Sequence, residues 1–454
     1  MTELRLHQRR LRDDLDPFEV FSRLKRGRPG VLLDGDRTSL GARHALALFQ
    51  PRSIVRVEAG ADRRGERPLE RLAAALSSPR VVDGARPGRF CGGHAGFVSY
   101  DVGRTLEHVP DTAAIASAAP DLWFAHFDRF VEFDFESGAV LAGFVEGASP
   151  GAGSPSDVLD DIERALDAPA EPVGTFTTGA VLRSNFDPSS YRRAVDAVRE
   201  HIRLGEVYQV NLAQRFQTEF HGSAAALYAR LRVANPAPYA AYVDTGDVAL
   251  SCSSPESFLS RVGDAVTTRP IKGTRRRSGD AVVDALAVEQ LCASSKERSE
   301  LNMIVDLLRN DLGRVARIGS VEVVDAGAIE TFATVIHRVA TIRATLRPGT
   351  SSVDLLAATF PGGSITGAPK IAALRVIEAL EGVRRGVFCG SIGWIAQSGD
   401  LALNIAIRTL VVESGRAHFH VGGGVVYDSD PQAEYDETLA KGAALARALG
   451  LPLS

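Results

Sequence analysis

The chain has 454 residues, which at roughly 100–200 residues per domain predicts two to four domains. Its 52 basic and 56 acidic residues give a net charge of −4, which argues against a general nucleic-acid binder. A hydrophobic content of 45% and the lack of any apolar run of about 18 residues exclude a disordered chain and a membrane-spanning one.

The cysteines and the N-terminus give a first expectation about the cell compartment. Four cysteines lie far apart without a Cys-x-x-Cys pair, which disfavours a zinc site or a disulfide framework. The first residues mix basic and acidic side chains and lack an apolar run, so they do not resemble a secretory signal. We therefore expect a soluble protein in the reducing setting of the cytoplasm.

The first third of the chain reads as short strands. Apolar runs predict strands at 31–35, 53–59 and 129–146, the last a hairpin around Ser137 and Gly138. Residues 147–175 open with Gly, Ser, Pro and Ala, pass through a short helical pattern and predict a surface linker. The predicted division is an N-terminal region, the linker and a C-terminal region that interweaves with the first or stands apart, at 1–146, 147–175 and 176–454.

Beyond the linker, helices and strands mix. A helix over 187–204 has Asp187 as its N-cap and Pro188 at its first position, and a strand follows at 207–216. Further helices are predicted at 294–313, 369–382 and 431–449, among several short strands. Strand clusters interrupted by helices, without regular βαβ alternation, indicate an α+β fold.

A basic segment at 269–277 contains the first candidate for chemistry. Lys272 lies between a proline and a glycine with four arginines close by, and like charges disfavour protonation of an amine. A lysine with a lowered pKa can act as a nucleophile. On this segment alone, a solvated basic turn is the more common explanation.

Two Glu-x-x-Glu pairs form the second candidate. Glu297 and Glu300 share one face of a predicted helix, and Glu434 and Glu437 share one face of another. Two such faces across a cleft would suit Mg²⁺, which binds carboxylate oxygens and keeps water ligands. A single pair of this kind is more often a solvated helix face, and it is the presence of two pairs that indicates a metal site.

Glycine-rich segments and two isolated polar residues complete the candidates. Residues 361–370 run into a helix, and Gly422 to Gly424 follow a strand; each is an anion cradle or merely a structural turn or bulge. Arg408 is predicted within a strand, where it would need a carboxylate partner. His337 lies on an apolar strand, where a core histidine is the common explanation.

Eight segments occur together in the order found in one enzyme family: 205–216 (GEVYQVNLAQRF), 253–258 (SSPESF), 269–277 (RPIKGTRRR), 296–315 (KERSELNMIVDLLRNDLGRV), 361–370 (PGGSITGAPK), 390–394 (GSIGW), 404–409 (NIAIRT) and 422–441 (GGGVVYDSDPQAEYDETLAK). On these, the chain resembles the chorismate-utilising enzymes strongly over 185–450 and weakly in the N-terminal third. The resemblance implies an α+β, anthranilate synthase component I-like fold, with two large, mostly antiparallel β-sheets packed together and helices outside.

The resemblance also implies roles for individual residues. Lys272 would attack the ring of chorismate and Glu256 would act as general acid. Mg²⁺ would be bound by Glu300, Glu434 and Glu437, with Glu297 further out. Substrate-binding positions would be Gly273, Thr274, His337, Thr366, Arg408, Gly422, Gly423, Gly424 and Lys441.

Two positions distinguish the branches of the family. Branches that add water to chorismate resemble one another in having a lysine where this chain has Gln209, and glutamine cannot deprotonate water. The anthranilate-forming branch has alanine where this chain has Lys272. The chain is therefore most similar to the branch that makes 4-amino-4-deoxychorismate from chorismate and ammonia, on the way to 4-aminobenzoate and folate.

The resemblance implies a partner as well. Ammonia would come from a separate glutamine amidotransferase subunit, because no segment of this chain resembles a cysteine nucleophile elbow. The partners expected are therefore chorismate and this subunit, with no nucleic acid and no membrane. The alternatives are an anthranilate-forming component, a subunit that serves both pathways, and a non-catalytic homologue that only binds a partner.

Relatives also hold tryptophan in a pocket near an N-terminal Leu-Leu segment and an Asn-Pro-x-Pro segment. The corresponding positions are Asp34, Pro238, Tyr239 and Ala240. Gly35 stands where serine is usual, so the chain departs from its relatives at this pocket.

Overall fold

The computed structural model describes residues 4–35, 44–76, 80–149, 151, 153–168, 172–332 and 335–453. Within them the chain forms ten α-helices. These are α1 (Pro17–Lys25), α2 (Pro68–Ala75), α3 (Pro155–Asp167), α4 (Pro188–Arg203), α5 (Ala224–Ala234), α6 (Ala281–Ala293), α7 (Ser295–Gly313), α8 (Ser352–Thr359), α9 (Lys370–Glu381) and α10 (Pro431–Leu449).

The same residues form 24 strands. In the first half these are β1 (Leu4–Arg10), β2 (Gly30–Leu33), β3 (His44–Phe49), β4 (Ser53–Val57), β5 (Val82–Asp83), β6 (Gly93–Val98), β7 (Leu122–Phe127), β8 (Arg129–Asp134), β9 (Val140–Glu146), β10 (Phe176–Thr178), β11 (Arg183–Ser184) and β12 (Gln209–Gly222). The remaining strands are β13 (Tyr239–Asp244), β14 (Val248–Ser254), β15 (Ser257–Val262), β16 (Ala265–Arg269), β17 (Ile271–Arg276), β18 (Glu322–Thr331), β19 (Val335–Thr345), β20 (Gly367–Ala368), β21 (Ser391–Ala396), β22 (Leu401–Asn404), β23 (Thr409–Glu413) and β24 (Arg416–Val425).

The strands form two sheets. The larger has 14 strands in the order β10-β12-β24-β23-β14-β13-β2-β3-β8-β9-β1-β5, with β11 and β20 also paired to β12. The smaller has ten in the order β17-β19-β16-β15-β22-β21-β6-β7-β4, with β18 also paired to β19. Between described strands only β1 and β5 pair in parallel, so both sheets are mostly antiparallel, as the resemblance predicts.

One apolar core lies between the sheets and others lie under the helices. Phe97, Trp123 and Phe127 of the smaller sheet share a buried cluster with Val31 and Phe130 of the larger one. Helices α1, α3 and α5 cover the outer face of the larger sheet, α10 covers β24, and α7 packs on β18 and β19. The predicted α+β fold, with packed sheets and helices outside, is therefore confirmed.

The regions on either side of residues 147–175 share both sheets. Strands from 1–146 and from 176–454 occur in each sheet. The intervening segment contains α3, whose Val158, Leu159 and Ile162 are buried beside α1 and β9. This part of the predicted surface linker is therefore a packed amphipathic helix. Among the residues that the structure describes, no helix has the length and apolarity needed to cross a lipid bilayer.

Candidate active site

Lys272 lies where β17 pairs with β19 at the end of the smaller sheet. The strand register shifts between Ile271 and Thr274, and Gly273 within this irregularity has a φ of 84°. A Cβ at Gly273 would stand 3.0 Å from Oε2 of Glu297, so only a glycine lets the strand lie this close to α7. A bulge of this kind changes the direction of neighbouring side chains, and here Lys272 is half-buried among charged groups.

The environment of the Lys272 amine combines burial with both signs of charge. Burial lowers the pKa of Lys272, and the positive charge of Lys441 lowers it further. The carboxylates of Glu300, Glu256 and Glu437 act in the opposite direction, but the net pKa stays lowered. The sequence predicts this lowering from neighbouring arginines, but its main physical cause is burial, and the nearby positive charge that adds to it is Lys441.

Glu256 lies in the turn between β14 and β15 and is 5% exposed. Its backbone is fixed there, since its N–H donates to Oγ of Ser254 at 3.2 Å and its carbonyl accepts from the N–H of Ile405 at 3.0 Å. Burial raises the pKa of Glu256 to about 7, although Ser364 and Lys272 both favour the carboxylate. A carboxyl group with this pKa can hold a proton near neutral pH and release it to a leaving group.

Glu434 and Glu437 lie on one face of α10, directed at β24. Oε2 of Glu434 and Oε1 of Glu437 would be 3.1 and 3.3 Å from a Cβ placed on Gly423. Burial and the charge of Glu437 raise the pKa of both Glu434 and Glu300. The pKa of Glu437 is itself lowered, because Lys441 and other lysines outweigh its burial. The carboxylates of α7 and α10 therefore interact across one space.

A bound cation would relieve this repulsion, and carboxylate oxygens are ligands that suit Mg²⁺. In the part of the chain that the structure describes, however, no three His, Cys, Asp or Glu side chains are already placed to hold a metal. Glu297 is partly committed, because its Oε1 accepts from Nη1 of Arg275 at 2.8 Å, while its buried Oε2 has no partner among described residues. The donor chemistry fits Mg²⁺, with Glu297 set apart from the others.

Lys296 joins this cluster and was missed from the sequence. Its charge lowers the pKa of Glu300, Glu434 and Glu437. The signal available was its spacing, since Lys296 precedes Glu300 by four residues and therefore shares its helix face.

Arg408 is not within a strand, contrary to the prediction. It lies half-buried between β22 and β23, which belong to different sheets, and has a φ of 50°. Burial lowers the pKa of Arg408, and no ion pair with a described carboxylate offsets that burial. An arginine in this position can attract a substrate carboxylate.

His337 faces Arg408 and the Lys272 strand. Its Nδ1 and Oγ1 of Thr274 are hydrogen-bonded at 2.9 Å, while its buried Nε2 has no partner among the described residues. Burial and then the charge of Arg408 lower the pKa of His337 to about 4. The imidazole is therefore neutral at physiological pH, with one nitrogen unpartnered.

Gly422 to Gly424 form the end of β24 itself, rather than a loop after it. The carbonyl of Gly422 accepts from Nζ of Lys441 at 3.0 Å. A Cβ on Gly424 would stand 2.2 Å from Nε2 of Gln209, so the side chain of Gln209 occupies the space that this glycine leaves. Both amide atoms of fully buried Gln209 lack hydrogen-bond partners among the described residues.

The glycine-rich segment at 361–370 packs against β12. Gly367 pairs with Val210, and a Cβ on it would stand 2.1 Å from the carbonyl oxygen of Gln209. Thr366 is fully buried, with Oγ1 donating to the carbonyl of Gly362 at 3.1 Å. Its hydroxyl is thus already used within the loop, so Thr366 supports the wall of the site.

The predicted tryptophan positions divide between two places. Pro238, Tyr239 and Ala240 line a cavity of about 390 Å³ between the sheets, together with Gly35. Asp34 is not part of its lining; the Asp34 carboxylate accepts from the hydroxyl of Tyr228 at 2.8 Å and from Nε of Arg232 at 2.7 Å. The Asp34 carboxylate is thus already bound by side chains of the fold, and tryptophan binding stays a prediction.

Comparisons with known proteins give a consistent result. Residues 33–447 match a protein family described as chorismate binding enzyme. Aminodeoxychorismate synthase component 1 of Bacillus subtilis strain 168 is 38% identical over 374 residues, covering 80% of this chain and 78% of that protein. An anthranilate synthase component 1 of Haloarcula marismortui is 37% identical over 449 residues, covering 96% of this chain and 90% of that protein. The solved structure of anthranilate synthase component I from Streptococcus pneumoniae TIGR4 superimposes with a TM-score of 0.78 at 31% identity, covering 90% of this chain and 93% of that one.

Proposed function

The chain belongs to the chorismate-binding enzyme family, and from this premise we propose that it is the chorismate-aminating component of an aminodeoxychorismate synthase. Ammonia from a separate glutamine amidotransferase subunit replaces the C4 hydroxyl of chorismate. The product is 4-amino-4-deoxychorismate, a precursor of 4-aminobenzoate and folate. The observation that carries the proposal is the Lys272 amine, with a lowered pKa, among Glu256, Glu300 and Glu437.

Binding places the dicarboxylate substrate between the two helix faces. Arg408 attracts one carboxylate, which the backbone of Gly422 to Gly424 at the end of β24 would help to hold. Glu300, Glu434 and Glu437 would hold Mg²⁺, which when bound would neutralise a substrate carboxylate and fix its position. Glu297, paired with Arg275, would lie beyond these ligands.

The chemistry divides into two displacements on the chorismate ring. Neutral Lys272 forms a bond from Nζ to C2, the ring double bonds shift, and the C4–O bond breaks. Glu256 donates its proton to the departing hydroxyl, which leaves as water. Ammonia then bonds to C4, the double bonds shift back, and the C2–N bond to Lys272 breaks. The proton lost by the bound ammonia restores Glu256, so the net exchange is ammonia for water.

The second candidate is the formation of anthranilate, alone or together with the first reaction. It is favoured by the Haloarcula and Streptococcus relatives, whose names specify anthranilate synthase and whose identities to this chain are 37% and 31%. The third, a non-catalytic homologue, is disfavoured by the charged groups that meet around Lys272.

Product analysis tests the proposal. The pure chain is incubated with chorismate, Mg²⁺ and ammonium salt, at a pH where part of the ammonium is un-ionised, and the products are separated by chromatography. We expect 4-amino-4-deoxychorismate, which an added lyase converts to 4-aminobenzoate. Direct appearance of fluorescent anthranilate as the main product would replace the first candidate by the second. Unchanged chorismate would favour the non-catalytic homologue.

A further inference from the structure

A second large cavity lies away from the groups around Lys272. It is a surface groove of about 730 Å³, within the range of small-molecule sites. Its walls are the 115–118 segment, β11 and the parts of β12 and β24 that extend beyond the glycines of the active site. Three arginines line it: Arg183, Arg215 and Arg416.

Strand register places these arginines on one face of the larger sheet. Arg183 is opposite Gln217 on β12, and Gln217 lies two residues from Arg215. Arg416 is opposite Glu219 on the same strand. Since side chains two residues apart on a strand point the same way, the guanidinium groups share the groove.

Arg215 is the buried member of this set, at 7% exposed. Its Nη1 donates to Oε1 of Gln217 at 2.6 Å and its Nη2 to the carbonyl of Ala116 at 3.1 Å, while its buried Nε has no partner among described residues. Burial lowers the pKa of Arg215; Glu413 opposes this effect and Arg416 adds to it. A buried guanidinium with neutral partners is costly unless an anion approaches it.

The carboxylate that lines the groove is already committed elsewhere. Oε2 of Glu413 accepts from Oγ of Ser117 at 3.1 Å and from the N–H of Ala118 at 2.9 Å. Oε1 of Glu413 is 3.0 Å from Nε2 of His418. No ion pair within the described ranges joins Arg183, Arg215 or Arg416 to a carboxylate, and Glu413 is one negative charge beside three arginines, so the groove keeps an excess of positive charge.

We propose that this groove is a binding site for a small organic oxyanion, a phosphate ester or a carboxylate, held by Arg183, Arg215 and Arg416. Guanidinium groups form paired, charge-assisted hydrogen bonds with both oxyanion types. Ser184, Asn185 and Ser414 line the same groove. The Ser184 hydroxyl and both amide atoms of Asn185 already have partners in the fold, so Ser414 is the polar side chain among them that the rest of a ligand would contact. The site is separate from Arg408 and does not depend on the reaction proposed above.

Calorimetric titration of the full chain tests the site. Inorganic phosphate and malonate are the two probes, titrated separately without Mg²⁺ or chorismate, at an ionic strength fixed with sodium chloride. We expect at least one probe to bind saturably, and the tighter probe identifies the preferred oxyanion. An Arg183→Gln/Arg416→Gln double variant changes only exposed side chains and should raise Kd about 10-fold or more.

Arg408→Gln is the matched control, because it removes an arginine from the other candidate anion site. It should leave the affinity for the probe unchanged. Arg215→Gln should also weaken binding of the probe. If Arg215→Gln does not fold, the Arg183→Gln/Arg416→Gln double variant alone tests whether the groove binds the probe. Failure of both probes to bind saturably overturns the proposal, and so does binding that Arg408→Gln removes while the double variant keeps it.

Discussion

Glu256 and Lys272 interact electrostatically, and burial moves their pKa values toward each other. The pKa of Glu256 rises to about 7 while that of Lys272 falls. A protonated carboxyl and a neutral amine are the forms needed by a general acid and a nucleophile. Burial in the same pocket therefore shifts both groups toward these forms, whereas in water at neutral pH the carboxyl would be ionised and the amine protonated.

The first prediction concerns pH. Glu256 must carry its proton to act as an acid, so we expect kcat/KM for chorismate to fall as pH rises through about 7, on the limb that Glu256 controls. Lys272 must be neutral, so a second limb should fall toward acid pH. The measurement holds the un-ionised ammonia concentration constant at each pH. Glu256→Gln should be slow and lack the alkaline limb; persistence of that limb would assign it to another group.

The second prediction concerns the covalent step. Without ammonia, chorismate should remain attached to Lys272 after water has left, and intact-mass spectrometry should show the chain heavier by chorismate minus water. Peptide mapping should place the added mass at residue 272. Lys272→Ala should show no adduct, while Lys25→Met, which removes a lysine of α1 and keeps the nucleophile, should still show one. An adduct in Lys272→Ala would contradict the assignment.

The third prediction concerns the contact between Gly424 and Gln209. Gly424→Ala should displace the Gln209 amide, 2.2 Å from the new Cβ, from the space that it fills beside β24. Misplacement of about 1 Å in an active site can cost about 100-fold in rate, and we expect a loss of this order in kcat/KM. Gly313→Ala is the control, since nothing lies within 4 Å of its Cβ, and it should keep full activity. Equal activities for the two variants would show that this close contact does not matter.

The regular elements of the fold were accessible from sequence because their signals are local. Asp187 and Pro188 predict the start of a helix, and α4 begins at Pro188 with the Asp187 carboxylate accepting from the N–H of Ser190 at 2.7 Å. The helices predicted at 294–313 and 431–449 are also found, as α7 and α10. Both helices carry two glutamates three residues apart, so the local sequence was enough to predict an acidic face on each helix.

What the sequence did not predict depends on distant contacts. The apolar run at 401–413 reads as one strand, yet it changes sheets at Arg408, where a positive φ has no sequence signature. The sequence did not predict helix α6, because its own apolar residues lie on exposed faces as well as buried ones. Val282 is 70% and Leu286 52% exposed, so the apolar residues show no helical period. The partner of Asp34, Arg232, is 198 residues away in the chain, and only the folded sheet brings them together.

The fourth prediction concerns the buried ion pair of Glu381 and Arg385. Arg385 donates to Glu381 through Nε and Nη2 at 2.9 and 2.6 Å, and also to the carbonyls of Ile365 and Asn211 at 3.0 and 2.6 Å. Glu381→Leu leaves this guanidinium buried without its counter-charge and should cost about 3–5 kcal/mol in urea unfolding. Because the double variant Glu381→Leu/Arg385→Met removes both charges, its cost should be less than the sum of the single costs. Additive costs would mean that the pair is not coupled.

The fifth prediction concerns Mg²⁺ and separates an enzyme from a non-catalytic homologue. Chorismate brings carboxylates next to Glu300, Glu434 and Glu437, so calorimetry with chorismate present and ammonia absent should show tighter Mg²⁺ binding than without chorismate. Replacing any of the three by Gln should weaken Mg²⁺ binding about 10-fold or more, because a charged ligand is lost. Glu297→Gln should have a smaller effect, since Arg275 already occupies one oxygen.

Glu289→Gln is the matched control for these variants. Glu289 is exposed on α6, so this substitution removes the same charge elsewhere on the surface. It should leave Mg²⁺ binding unchanged, which would rule out a general effect of net charge. If chorismate and Mg²⁺ bind independently in the wild-type chain, the facing carboxylates are not a shared site. Burial and the charge of Glu437, which raise the pKa of Glu300 and Glu434, would then be opposed by the charges of nearby lysines without a metal ion.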